Sequence, residues 1–320
     1  MLLTGAAMSF AFVFPGQGSQ SVGMLGELAA AQPAIRATFD EAAESLHYDL
    51  WKLVSEGPAE LLNTTERTQP AMLTAGVATW RAWQEEGGGV PAVLSGHSLG
   101  EFTALVCAGA LDFGPALELV RFRGESMQAA VPAGSGAMAA ILGLGDEAVI
   151  AACAEAAHGA VVEPANFNSP GQVVIAGQSA AVERAIEAAR ARGAKRAMLL
   201  PVSVPAHSSL MLKAAERLRE RLSALTVRAP QIRYLSAVDA TEHEAPDDIR
   251  ALLVRQLSSP VRWTQTLRAL ATPEVAQVIE CGPGKVLTGL NKRIEKREGL
   301  SYLALEDPAA LASAIAATRG

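Results

Sequence analysis

An α/β fold with a mainly parallel sheet, interrupted by one smaller subdomain, follows from three features of the sequence. Short apolar or β-branched runs alternate with longer alanine- and leucine-rich amphipathic stretches, the rhythm of strands joined by crossover helices. From about 136 to 201 that rhythm changes to strand, helix, strand, strand, helix, strand. A loop of small residues, Pro132-Ala133-Gly134-Ser135-Gly136, opens the interruption, and Pro201 closes it.

Taken in order, Phe10-Ala11-Phe12-Val13-Phe14 is an unbroken apolar run, as expected of a buried strand, and it stops at the tight polar loop Pro15-Gly16-Gln17-Gly18-Ser19-Gln20. Ala92-Val93-Leu94 is a second such run, and 101–110 reads as the helix after it. Residues 116–128 form a further helix-like stretch. Within the interruption, strands are predicted at 136–142, 161–167, 172–177 and 197–201, with helices at 146–157 and 180–192. This β-α-β-β-α-β order is ferredoxin-like. A helix at 249–257 and an alanine-rich terminal helix at 309–317 complete the reading. The resulting divisions are a discontinuous large α/β subdomain (8–131 and 202–308), a small ferredoxin-like subdomain (132–201), and terminal extensions (1–7 and 309–320).

Composition narrows the function classes. A chain of 320 residues, half of them hydrophobic, can bury a large core. Its net charge of -6 and pI near 5.5 argue against general nucleic-acid binding, which calls for a basic stripe. No apolar run approaches the length of a membrane span. The opening Met1-Leu2-Leu3-Thr4-Gly5-Ala6-Ala7 lacks the basic and apolar regions of a signal peptide, and Met8 is an alternative start. Cys107, Cys153 and Cys281 are odd in number and widely spaced, which suggests neither a disulfide framework nor a zinc site and fits a reducing cytoplasm. No sustained heptad appears, so a monomer is expected.

The most informative motif is Gly96-His97-Ser98-Leu99-Gly100, a G-x-S-x-G pattern set between a predicted strand and a predicted helix. In such an elbow the serine sits on a strained turn with its Oγ exposed, and the N–H of the next residue, Leu99, is free to face an oxyanion. Gln17, in a glycine-flanked loop after a strand, either serves an oxyanion or pins its loop. His207 follows a proline-bounded extended segment and is either the base for Ser98 or a structural histidine. An α/β-hydrolase would place its acid between the serine and the histidine. Asp112, Asp146 and Glu163 lie there, but none stands in a recognisable motif.

Several motifs occur in one order along the chain: Phe14-Pro15-Gly16-Gln17-Gly18-Ser19-Gln20, Thr68-Gln69-Pro70-Ala71, Gly96-His97-Ser98-Leu99-Gly100-Glu101, Arg123-Gly124, Asn166-Phe167-Asn168-Ser169-Pro170-Gly171-Gln172, Val204-Pro205-Ala206-His207 and Gly282-Pro283-Gly284-Lys285. Their order and spacing, from about 9 to about 306, resemble those of the malonyl-CoA:acyl carrier protein transacylases, the discrete acyltransferases of bacterial fatty acid synthesis. The resemblance implies a large α/β-hydrolase-like subdomain with a parallel sheet, the ferredoxin-like insert, and a site in the cleft between them. It also implies Ser98 as nucleophile and His207 as base, with the backbone carbonyl of Gln256 orienting the imidazole. The oxyanion hole would use the backbone N–H groups of Gln17 and Leu99.

Arg123, rather than Arg121, matches the arginine whose planar fork pairs with the free carboxylate of malonyl. No cofactor is implied, and the expected partners are malonyl-CoA and holo acyl carrier protein. Because the carrier is acidic in this family, a basic surface is expected, either Lys195 and Arg196 or the helical face of Lys292, Arg293, Lys296 and Arg297. Ala206 stands where serine is frequent beside the histidine, which leaves methylmalonyl open as a substrate. The alternatives are a serine hydrolase or thioesterase, a trans-acting polyketide-synthase acyltransferase, and a non-catalytic carrier-binding module.

Overall fold

The computed structural model describes residues 9–202 and 204–318. The segment 1–7, read above as an extension, and the alternative start Met8 lie outside the described residues. Among the described residues there are nine strands: β1 (Ser9–Phe14), β2 (Val93–Gly96), β3 (Gly136–Leu142), β4 (Val162–Ser169), β5 (Gln172–Gln178), β6 (Arg196–Leu199), β7 (Arg233–Leu235), β8 (Val275–Glu280) and β9 (Ser301–Ala304). They form a parallel sheet in the order β7-β2-β1-β8-β9 and an antiparallel sheet in the order β4-β5-β3-β6.

The unbroken apolar run of β1 is explained by its central place in the parallel sheet, which is covered on both faces. Successive side chains point to opposite faces, so Phe10, Phe12 and Phe14 enter one core while Ala11 and Val13 enter the other. Phe12 meets Trp83 edge-on at 4.9 Å and is fully buried. Burial of one such ring contributes roughly 1.5–3 kcal/mol. The opposite face packs Ala11 and Val13 with Trp263, Leu267 and Val278.

The small sheet has one face for its own helices and one for the rest of the protein. Ala139, Ile141, Val173 and Ile175 pack beneath the helices Asp146–Ala157 and Ser179–Ala191. Met138, Ala165, Val174 and Ala176, at the alternate strand positions, pack with Leu200, Val202 and Ala206, beside His207. A backbone connection joins β4 to the larger body, because Phe167 N–H donates to Val261 O and Val261 N–H to Ala165 O, both at 2.9 Å.

The helix Pro308–Thr318 buries Leu311, Ala314 and Ile315 in the main core, and its apolar i, i+3, i+4 spacing marks a packed face. One expectation requires correction. The helix Val286–Ile294 ends before Lys296 and Arg297, where Glu295 is extended. Arg297 donates instead to Ala271 O and Val275 O, at 2.8 and 2.6 Å, so no continuous four-residue basic helix face forms. Among the described residues, no helix is long and apolar enough to cross a membrane, and no cluster of His, Cys, Asp or Glu is built to hold a metal ion.

Candidate active site

The register of the parallel sheet brings the two predicted loops together. Phe14, the last residue of β1, pairs with Gly96, the last of β2, and His97 N–H donates to Phe14 O at 3.0 Å. Ser98 then adopts a left-handed φ of 51° before the helix Gly100–Cys107 begins. The turn is tight enough to require glycine at both ends. A Cβ on Gly96 would lie 2.0 Å from the Gly100 carbonyl carbon, and one on Gly100 would lie 2.0 Å from Phe14 O. Ser98 is thereby held at the carboxyl edge of the sheet in a conformation that L residues enter only under strain.

The loop after β1 lies directly against this elbow, since a Cβ on Gly16 would come within 2.4 Å of His97 O. Gln20 pins the loop, accepting from Gly18 N–H at 2.7 Å and donating to Asn63 at 2.8 Å. The Gln17 side chain is exposed. Among the described residues, the backbone N–H groups of Gln17 and Leu99 have no protein acceptor. Two free donors beside the serine are what an oxyanion requires.

Ser98 Oγ and His207 Nε2 are 2.8 Å apart. His207 Nδ1 lies 2.8 Å from Gln256 O and 3.1 Å from Ser259 O. A nitrogen facing two carbonyls must carry the proton, which leaves Nε2 as the acceptor for the serine hydroxyl. Gln256 is the last residue of the helix Pro246–Gln256, so its carbonyl has no partner within the helix. That helix terminus carries partial negative charge, which favours a positive charge on the His207 imidazole. Carbonyls therefore stand where a hydrolase has its acid. Asp112 instead pairs with Arg228, Glu163 accepts from Ser209 N–H and Oγ–H, and Asp146 opens a helix of the small subdomain.

Burial, followed by the positive charge of Arg123, lowers the His207 pKa from the ordinary 6.5 to about 3. With His207 as the base, its protonated form cannot accept the serine proton, so activity is expected to fall only as the pH drops through the folded-state value. The acylation rate in the free enzyme is expected to stay level as the pH falls through 6.5, with its acid limb far lower; a limb centred near 6.5 in a pH profile of single-turnover acylation would contradict this. The unfolded chain binds the same proton near 6.5, so stability is expected to decline as the pH falls from 6.5 towards about 3.

Arg123 comes from the helix Phe113–Gln128 and is only 2 % exposed. Its Nη1 donates to Gln69 Oε1 at 2.9 Å; its Nη2 donates to Gln256 Oε1 at 2.9 Å and to Ser98 Oγ at 3.2 Å. Its Nε has no partner among the described residues. A buried guanidinium beside the nucleophile, with a donor to spare, is suited to an anionic acyl group.

Ser98, His207, Gln256 and Arg123 are thus in mutual contact, and Gln17 and Leu99 border them. Lys195, Arg196, Lys292 and Arg293 are exposed and lie outside this cluster. Arg293 donates to Gln172 at the start of β5, while Lys195 covers Gly143, whose N–H bonds Gly171 O. Both basic pairs therefore flank the β4–β5 turn. Just before that turn, Asn168 accepts from His97 at 2.8 Å. Sequence reasoning gave no role to Gln69, Asn168, Glu101 or Ser259. Gln69 and Asn168 sit inside quoted motifs, which is the signal the sequence held for them; Glu101 reads as an ordinary first-turn acid, and a backbone carbonyl such as that of Ser259 gives no signal.

The parallel sheet, its strained serine elbow and the carbonyl-held imidazole define the protein as an α/β enzyme that works through an activated serine. The acyl transferase domain family matches residues 11–304, and the chain belongs to that family. It is 56% identical over 306 residues to the malonyl CoA-acyl carrier protein transacylase of Escherichia coli (strain K12), covering 96% of this chain and 98% of that one. It is 46% identical to the Bacillus subtilis (strain 168) protein of the same name, over 95% of this chain and 96% of that one. The solved transacylase of Coxiella burnetii superposes with a TM-score of 0.95 at 47% identity, covering 97% and 98% of the two chains. A malonyl-transacylase solved in complex with a type II PKS acyl-carrier protein superposes at 0.94 with 53% identity, covering 97% and 99%.

Proposed function

We propose that this acyltransferase moves malonyl from malonyl-CoA to the phosphopantetheine thiol of holo acyl carrier protein through an ester on Ser98, supplying the extender unit of fatty acid synthesis. Ser98 Oγ attacks the thioester carbon as its proton passes to His207 Nε2. The Gln17 and Leu99 N–H groups receive the oxyanion, and coenzyme A leaves as the thiol with the proton from His207. In the second half-reaction the carrier thiol gives its proton to His207 and attacks the ester carbon, and Ser98 Oγ leaves with that proton from His207. Arg123 holds the malonyl carboxylate in both halves.

The observation that carries this reading is the buried Arg123, 3.2 Å from the nucleophile and with an unpartnered Nε. A thioesterase for uncharged acyl groups gains nothing from it. The reaction as written uses side chains and backbone alone, without a cofactor, and suits a cytoplasmic monomer. In this reading the chain divides into 8–131 with 202–308 and 132–201, with the site in the cleft between them; the backbone bonds of β4 to Val261 support it. The test is the mass of holo acyl carrier protein after incubation with enzyme and malonyl-CoA or acetyl-CoA. A malonyl adduct formed in preference to acetyl supports the reading, and no preference opposes it.

The carrier docks, in this reading, over the β4–β5 turn between Lys195 and Arg196 on one side and Lys292 and Arg293 on the other. Changing Lys292 and Arg293 together to glutamate is expected to raise KM for the carrier about tenfold through a slower encounter. The first half-reaction with malonyl-CoA should be unaltered. Equal damage to both half-reactions, measured by stopped-flow acylation and steady-state transfer, would remove these residues from the docking surface.

A further inference from the structure

Glu101 lies three residues after Ser98, directly after the elbow, is 1 % exposed, and has no part in the reaction as written above. Its Oε2 accepts from Tyr234 O–H, from Ser236 Oγ–H at 2.8 Å and from Ala237 N–H at 3.2 Å. Its Oε1 accepts from Gln256 Nε2 at 2.8 Å. Gln256 Nε2 also donates to Ser98 O at 3.0 Å, so both its protons are directed at atoms that only accept. The amide oxygen is thereby forced towards Arg123, from which it accepts.

We propose that Glu101 is a positioning residue for acyl-group selection, orienting the Gln256 carboxamide so that it holds Arg123 against Ser98. Two buried charges of opposite sign are joined here by one neutral amide. The carboxylate acts as a remote counter-ion to the guanidinium and sets the direction of the relay between them. Glutamine at position 101 has the same shape but cannot do this. Three donors at the Oε2 position would retain its oxygen, turning its NH2 towards the NH2 of Gln256. To relieve that clash Gln256 must flip, which brings its NH2 against Arg123 and withdraws the acceptor from the guanidinium.

The inference rests on the reading of Arg123 as the malonyl clamp, so the experiment separates the two. kcat/KM is measured with malonyl-CoA and acetyl-CoA for the parent, Arg123→Ala, Glu101→Gln, Gln256→Ala and the double variant of the last two. Glu101→Gln is expected to lose about tenfold or more with malonyl-CoA, the worth of one hydrogen bond to a charged group, while acetyl-CoA changes much less. Gln256→Ala keeps the backbone carbonyl that orients His207 but cuts the relay. It should show the same selective loss, with the double variant no worse than either single one.

Equal loss with both thioesters in Glu101→Gln would reduce Glu101 to a structural residue, and retained malonyl preference would overturn the proposal outright. Should Glu101→Gln fail to fold, Gln256→Ala decides: undiminished malonyl preference there overturns the relay. A parent enzyme, or an Arg123→Ala variant, whose malonyl preference contradicts the clamp marks failure of the underlying reading instead.

Discussion

Ser98→Ala is expected to abolish covalent acylation and to reduce transfer on the order of 10⁶-fold, the loss that follows removal of the nucleophile from a serine–histidine pair. The effect is large because no other group can replace it. Among the described residues, the hydroxyl at the left-handed turn is the one bonded to both His207 Nε2 and Arg123 Nη2. The substitution removes one oxygen from a site whose backbone is held by Gly96 and Gly100, so the fold and the affinity for malonyl-CoA should survive. Intact mass after exposure to malonyl-CoA, together with a thermal melt, measures both. A malonyl adduct on the folded variant would show that the nucleophile lies elsewhere.

Arg123→Ala is expected to change selectivity more than it changes chemistry. A bidentate guanidinium–carboxylate contact comprises two charge-assisted hydrogen bonds of about 1.5–3 kcal/mol each, so kcat/KM for malonyl-CoA should fall by about 10²–10⁴-fold. Acetyl-CoA has no carboxylate to lose, and its turnover should decline far less. Burial lowers the Arg123 pKa to about 10, partly offset by Glu101, so the guanidinium remains charged at neutral pH. Parallel loss with both thioesters would indicate that Arg123 only supports Ser98 and Gln256. The two outcomes are separated by initial rates with each thioester at several concentrations.

Much of the architecture was legible because it depends on local periodicity. The apolar run of β1, the glycines of the elbow and the β-α-β-β-α-β order of the insert each leave a short-range pattern, and the fold follows them. The short strand β7 carries no such pattern; it is a strand because β2 offers it a parallel edge. The helix Thr65–Glu85 was hidden by Pro70 within it and by the lack of one apolar stripe, since it is buried around most of its circumference with Thr68, Gln69, Thr74 and Thr79 among the buried residues.

At the site, residues whose side-chain chemistry falls in a recognisable motif could be found: Ser98, His207 and Arg123. The carbonyl support of His207 depends on where a helix ends, and Ser259 O contributes through a loop no pattern predicts. Glu101 looked like the ordinary acidic residue of a helix's first turn. Only the meeting of Tyr234, Ser236 and Gln256 around it reveals a buried carboxylate with four hydrogen-bond donors.

The central claim is that Ser98 carries malonyl between two thiols and withholds it from water. Its most direct test is the intact mass of the enzyme over time after malonyl-CoA is added and the excess removed, with and without holo acyl carrier protein. One malonyl adduct is expected, persisting while the enzyme is alone and passing to the carrier when the carrier is added. An adduct that decays at the same rate with or without the carrier, leaving the carrier unmodified, would contradict the claim and identify a hydrolase on this scaffold.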